Sequence, residues 1–94
     1  MKNLKNKKVL ITGGARGIGR QIAIEFAKHG SDIIICDSDK SYIDENDFQD
    51  IKEFGVSCFS YYLDVTSYDE IIKVREEILK DVGLIDILVN NAGV

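Results

Sequence analysis

The sequence predicts an α/β fold with a parallel sheet, and three features carry that expectation. Four short apolar runs of strand length alternate with segments whose apolar residues recur at helical spacing. A glycine follows each helical segment, at Gly30, Gly55 and Gly83, as helix C-termini favour. The intervening segments are long enough to return the chain for right-handed parallel crossovers. The resulting order is β-α-β-α-β-α-β, with no repeat, linker or second domain.

The basic, asparagine-containing lead Lys2–Lys8 precedes a first strand beginning at Lys8 or Val9 and ending at Thr12. That strand is continuously apolar, as expected when both sheet faces are covered. A helix follows over about Gly17–Lys28, with Ile18, Ile22, Ala23, Phe26 and Ala27 on one predicted buried stripe. The second strand is Asp32–Cys36, closed by Asp37. The acid-rich stretch Ser38–Asp50 is the least regular, and a helix is expected over Asp44–Phe54, burying Phe48, Ile51 and Phe54. The third strand spans Val56 to Tyr61 or Leu63. Val56 and Cys58 fall on one side of it and Phe59 and Tyr61 on the other, an alternation suited to a sheet edge. Ser67 with Glu70 forms a capping-box pattern, with Thr66 and Asp69 as an alternative. It opens a helix over Tyr68–Asp81 with Ile71, Val74, Ile78 and Val82 as its stripe. The last strand is Ile85–Val89, running into Asn90-Asn91-Ala92-Gly93.

The stretch VLITGGARGIG at Val9–Gly19 joins the first strand to the first helix through a glycine-dense turn. Gly13 permits a tight departure from the strand. Gly17 leaves the backbone open to a ligand, and Gly19 lets helix and strand approach closely. The helix N-terminus directs N–H groups and positive potential toward the crevice beyond the strand, where an anion is favoured. In this strand–turn–helix setting the expected anion is a dinucleotide pyrophosphate. The spacing Gly13-x-x-x-Gly17-x-Gly19 fits neither G-x-G-x-x-G nor the phosphate-loop pattern, which needs a following Gly-Lys-Ser/Thr. Asp37, at the end of the second strand, can accept hydrogen bonds from both hydroxyls of an adenosine ribose and repel a 2′-phosphate.

Composition narrows the alternatives. The 94 residues carry a net charge of −4, with 30% charged residues and no proline. One short basic run is too little for a nucleic-acid face, so such binding is not expected. No apolar run reaches membrane-spanning length, and the N-terminus lacks a signal-peptide pattern, so the expected location is cytoplasmic. Asp37, Asp39 and Asp44 lack the glycine and glutamate of a calcium loop, and no metal site is expected. Cys36 and Cys58 suit packed positions, and His29 suits a helix end.

Thr12-Gly13-x-x-x-Gly17-Ile18-Gly19 resembles the glycine motif of the short-chain dehydrogenase/reductase family. Asp37, the pair Asp64-Val65, and Asn90-Asn91-Ala92-Gly93 resemble that family's later motifs, in order and at the expected places. The resemblance implies a Rossmann-type parallel sheet with strand order 3-2-1-4. It implies cofactor contacts from Gly13, Arg16, Gly17, Ile18, Gly19, Asp37, Asp64, Val65, Asn91, Ala92 and Gly93. Asp64 would bind the adenine amino group, Val65 would lie against the ring, and the Ala92 and Gly93 backbones would line the cofactor ribose. In the family a basic residue at the position of Arg16 often accompanies NADP use, whereas Asp37 points to NAD. A carboxylate facing a 2′-phosphate costs repulsion and lost hydrogen bonds, so NAD is favoured over NADP.

The resemblance covers the whole chain but only the first two-fifths of a family member, so residues 1–94 are expected to be a partial dinucleotide-binding domain. The family's catalytic serine and Tyr-x-x-x-Lys pair lie further on. Here Tyr42, Tyr61, Tyr62 and Tyr68 are followed four residues later by Asn46, Val65, Thr66 and Ile72, and no catalytic residue is assigned. The expected function is the cofactor-binding half of an NAD(P)-dependent oxidoreductase, inactive alone, with a small-molecule substrate only in a completed chain. The alternative is a non-catalytic nucleotide-binding or interaction module; a methyltransferase would leave Asn90–Gly93 unexplained. An uncovered last strand, with Val9, Ile11, Leu88 or neighbours exposed, is expected to favour a homo-oligomer or a complementing C-terminal segment.

Overall fold

A computed structural model describes residues 4–92. Its elements run β1 (Lys8–Thr12), α1 (Gly17–Lys28), β2 (Asp32–Asp37), α2 (Lys40–Glu45), α3 (Gln49–Lys52), β3 (Cys58–Tyr62), α4 (Tyr68–Asp81) and β4 (Ile87–Asn90). The four strands form one parallel sheet in the order β3-β2-β1-β4, the arrangement of a Rossmann fold. The register sets Val9 beside Ile33 and Ile87, and Ile11 beside Ile35 and Val89.

Period-two alternation divides the strand side chains between two cores. Val9, Ile11, Ile33 and Ile35 pack with Ala23 and Ala27 of α1 and with Ile43, Phe48 and Ile51. Ile34 and Cys36 pack on the opposite face with Leu63 and with Val74 and Ile78 of α4. Phe59 and Tyr61 join this second core and Val56 and Cys58 the first, as the edge-strand alternation predicts. β2 is enclosed on both faces, which explains its unbroken Ile33-Ile34-Ile35 run.

α1 and α4 have the boundaries that the sequence predicts. The Ser67 hydroxyl accepts from the Glu70 N–H at 3.4 Å, and Asp69 and Glu70 in the first turn complement the helix dipole of α4. Thr66 does not cap; its hydroxyl donates to Asp64. Asp32 ties the starts of three strands together, accepting from Lys8 Nζ at 2.8 Å and from the Ser57 N–H at 2.9 Å. Burial opposes its charge, yet these donors hold its carboxyl below the usual range.

Six expectations require correction. β3 begins at Cys58 rather than Val56 and ends at Tyr62. Ile18 is 75% exposed, because α1 meets the sheet through Gly19, Ala23 and Ala27, whose small size allows close approach. Ile71, expected on the buried stripe of α4, is also exposed. The single helix over Asp44–Phe54 is two short helices: Asp39 caps α2 by accepting from the Tyr42 N–H, and Phe48 breaks the path at φ +54°. Phe48 and Ile51 are nevertheless buried, and Phe54 is exposed. β4 starts at Ile87 rather than Ile85. Just before it, Asp86 uses its carboxylate, instead of a ladder carbonyl, to accept the Lys8 N–H at 2.8 Å. Finally, Val9 and Ile11 are fully buried beneath α1 rather than exposed. On the other face of the sheet Leu79, Leu84 and Leu88 are 46%, 79% and 65% exposed. Among the described residues, β4 pairs only with β1. None of the described helices is long and apolar enough to cross a membrane.

Candidate functional site

The C-terminal ends of β1, β2 and β4 open onto a crevice of about 380 Å³. Strand order reverses here, with β2 leaving β1 on one side and β4 joining it on the other. Open α/β sheets bind ligands at such a point. Gly13 and Arg16 supply one wall and Asp37 another, while Asp64, Val65, Asn91 and Ala92 complete the rim. Seven of the residues singled out in the sequence therefore meet here.

The remaining four lie elsewhere. Gly17 and Ile18 line an adjoining open depression of about 920 Å³ against the outer face of α1, with Arg16 as the shared wall. Gly19 is buried beneath the turn, where a Cβ would lie 2.1 Å from the Gly13 carbonyl oxygen. Gly93 lies outside the described residues. The larger depression is lined mainly by residues of α1; the crevice holds the strand ends and the carboxylates, and is the candidate site.

The turn matches what an anion needs. Gly13 and Gly17 adopt φ +67° and +63°, and a Cβ on Gly17 would meet no atom within 4 Å. No side chain caps α1, and its first turn carries no acidic residue. A helix of 12 residues with an uncapped N-terminus beside open glycine backbone offers N–H donors to a phosphate.

The carboxylates are already oriented. Asp37 Oδ2 accepts from the Ala15 N–H at 3.2 Å and Oδ1 from the Asp39 N–H at 3.0 Å. Each oxygen retains acceptor capacity for a ligand hydroxyl. The Thr66 hydroxyl and N–H bond to Asp64 at 2.6 and 3.0 Å and hold its carboxyl below the usual range. Hydrogen bonds from the Tyr42 N–H and the Ser41 hydroxyl, aided by Arg16, do the same for Asp39. Arg16 Nη2 lies 3.3 Å from Asp39 Oδ2, and its guanidinium carbon is 5.5 Å from the centre of the Tyr42 ring.

Asn91 stiffens the turn from the far strand. Its Nδ2 donates to the Gly13 carbonyl at 3.1 Å. Thr12 is a hub beneath it that the sequence reading left without a role. Its hydroxyl accepts from the N–H groups of Asn91 and Ala92 at 3.0 and 3.1 Å and donates to Asn90 Oδ1 at 3.0 Å. A hydroxyl ending an otherwise apolar strand is the signal that could have marked it. Thr12→Val would leave two N–H groups without their acceptor, and a loss of about 2 kcal/mol is expected in chemical denaturation; an unchanged unfolding midpoint would remove Thr12 from this role. Arg20 is also unassigned in the sequence reading. Its Nη1 donates to the Ala15 carbonyl at 2.7 Å, and its partner Asp50 is 30 residues away.

Neither cysteine is suited to chemistry. Burial, with Asp37 nearby, pushes the Cys36 thiol up to about 12, and burial pushes Cys58 up to about 11. Among the described residues no group of three or more His, Cys, Asp or Glu could hold a metal ion.

The short chain dehydrogenase family model matches residues 7–94. Human short-chain dehydrogenase/reductase 3 is 37% identical over 94 residues, which are 100% of this chain and 31% of the relative. General stress protein 39 of Bacillus subtilis is 40% identical over 90 residues, covering 96% of this chain and 32% of the relative. The chain thus spans about a third of the curated relatives it matches. Among solved structures, an NAD+-bound xylitol dehydrogenase superposes with a TM-score of 0.88 at 33% identity, covering 99% of this chain and 35% of that one. L-sorbose reductase from Gluconobacter frateurii, complexed with NADPH and L-sorbose, superposes with a TM-score of 0.88 at 35% identity, covering 98% and 35%.

Proposed function

Because the chain belongs to the short-chain dehydrogenase family, we propose that it is the cofactor-binding half of an oxidoreductase that moves a hydride between a nicotinamide cofactor and an alcohol or carbonyl substrate. The convergence of Asp37, Asp64 and Asn91 around one crevice beside an uncapped helix N-terminus supports this reading. The donor set fits a dinucleotide. Glycine backbone and the α1 N-terminus would hold a pyrophosphate, Asp37 would accept from the adenosine ribose, and Asp64 with Val65 would receive adenine. When bound, the nicotinamide supplies the hydride chemistry, and this chain supplies orientation.

NAD is the preferred cofactor in this proposal. The relatives divide between NAD+ and NADPH, so the preference rests on charge at the ribose end. Asp37 presents a carboxylate there, and Arg16, which could have welcomed a 2′-phosphate, is paired with Asp39. Two carboxylates against one engaged arginine disfavour an added phosphate. The exposed Leu79, Leu84 and Leu88 beside β4 fit a protein in which further polypeptide, or a second copy, extends the sheet.

Calorimetric titration of the folded chain tests this function. NAD is expected to bind at least about tenfold more tightly than NADP, with no alcohol oxidation by the chain alone. Absence of binding by either cofactor to a chain with intact helical circular dichroism would overturn the reading, and equal affinities would overturn the preference.

A further inference from the structure

We infer that Arg20 is a positioning residue, one that aims the Asp37 carboxylate and fixes the glycine turn through Ala15. Its side chain is only 16% exposed despite its charge. Nε and Nη2 fork the two oxygens of Asp50, at 3.1 and 2.8 Å. Nη1 reaches back to the Ala15 carbonyl at 2.7 Å, and the guanidinium carbon lies 4.6 Å from the centre of the Phe48 ring. Ala15 is fully buried, and its N–H donates to Asp37 Oδ2 at 3.2 Å. One residue of the turn is therefore held at both polar ends, its carbonyl by a guanidinium and its N–H by a carboxylate. Fixing the first bond restricts the direction of the second.

The far end of this clamp is built at a conformational cost. Phe48 sits at φ +54°, which a bulky side chain opposes. It is nevertheless buried, with its ring against Arg20, and α3 begins directly after it and carries Asp50. The acid-rich segment thereby serves the turn as an anchor for Arg20. Lysine cannot substitute, since a single ammonium supplies neither the fork nor the planar stack.

The inference rests on the proposed cofactor reading for its effect on binding, but not for the geometry itself. In the isotopically labelled chain, Asp37→Asn is expected to shift the Ala15 amide resonance, because that N–H loses its charged acceptor. The shift should vanish when the same replacement is made in Arg20→Gln, Arg20→Lys or Asp50→Asn. The Ser57 amide, bonded to Asp32 Oδ1 at 2.9 Å, is the internal control and should not move. In the Arg20 and Asp50 variants with Asp37 retained, the preference for NAD over its adenosine 2′-deoxy analogue should fall about fivefold. A purely structural role would lower both affinities together and leave that ratio unchanged. Persistence of the Ala15 shift in Arg20→Gln, or in Asp50→Asn should the Arg20 variants not fold, overturns the inference. If the parent chain binds no dinucleotide, the cofactor reading fails while the Ala15 shift still decides the role of Arg20.

Discussion

Gly19→Ala is expected to destabilise the chain by about 3 kcal/mol, although it adds one methyl group at a position with good helix geometry. The added Cβ would lie 2.1 Å from the Gly13 carbonyl oxygen and 2.8 Å from Asn91 Nδ2. Both atoms belong to the hydrogen bond that joins the turn to the segment after β4. The carbonyl is backbone and cannot swing aside, so α1 must move away from the turn or that bond must break. Gly17→Ala is the informative comparison. Its Cβ would meet nothing within 4 Å, and only the φ of +63° resists it, a strain of about 1 kcal/mol. Urea denaturation of the two variants should separate close contact from backbone strain. Equal losses would mean that the approach of α1 to Gly13 is not the constraint it is argued to be.

Asp37→Arg is expected to invert cofactor preference, weakening NAD by at least about 100-fold and allowing NADP to bind more tightly than NAD. In the proposed binding mode two hydroxyl-to-carboxylate hydrogen bonds would be lost, each contributing on the order of 1.5–3 kcal/mol. The substituted guanidinium can fork a 2′-phosphate, with Arg16 beside it. The change also withdraws the acceptor of the Ala15 and Asp39 N–H groups, so circular dichroism must accompany the titrations. An unchanged order of affinities in a folded variant would remove Asp37 from the cofactor assignment.

What could be read from the sequence depended on how local its cause was. α1 and α4 have local stripes and local stops, and their limits follow from Gly30, Gly83 and the Ser67 cap. The parallel sheet follows from apolar strands joined by long crossovers, and the crevice residues Asp37, Asp64 and Asn91 each stand at the end of, or just beyond, such a strand. The segment from Ser38 to Asp50 resisted because its path is set by Arg20, 30 residues from Asp50, and by the left-handed Phe48. No periodicity records either. Ile18 was misplaced because it is apolar and at helical spacing, whereas α1 packs through glycine and alanine. Thr12 was visible as a residue, but its role needs the Asn91 and Ala92 backbone brought alongside it.

The central position of β1 in the sheet sets an order of assembly. Lys8 meets Asp32 across a separation of 24 residues and Asp86 across 78. Closing the longer loop costs about 1 kcal/mol more chain entropy. β1 and β2 can thus pair, with α1 laid over them, while the segment bearing Asn91 is still unsynthesised on a translating ribosome. The glycine turn and Asp37 can therefore come together before β4 exists, and the Thr12 hydroxyl gains its two N–H donors only when β4 arrives.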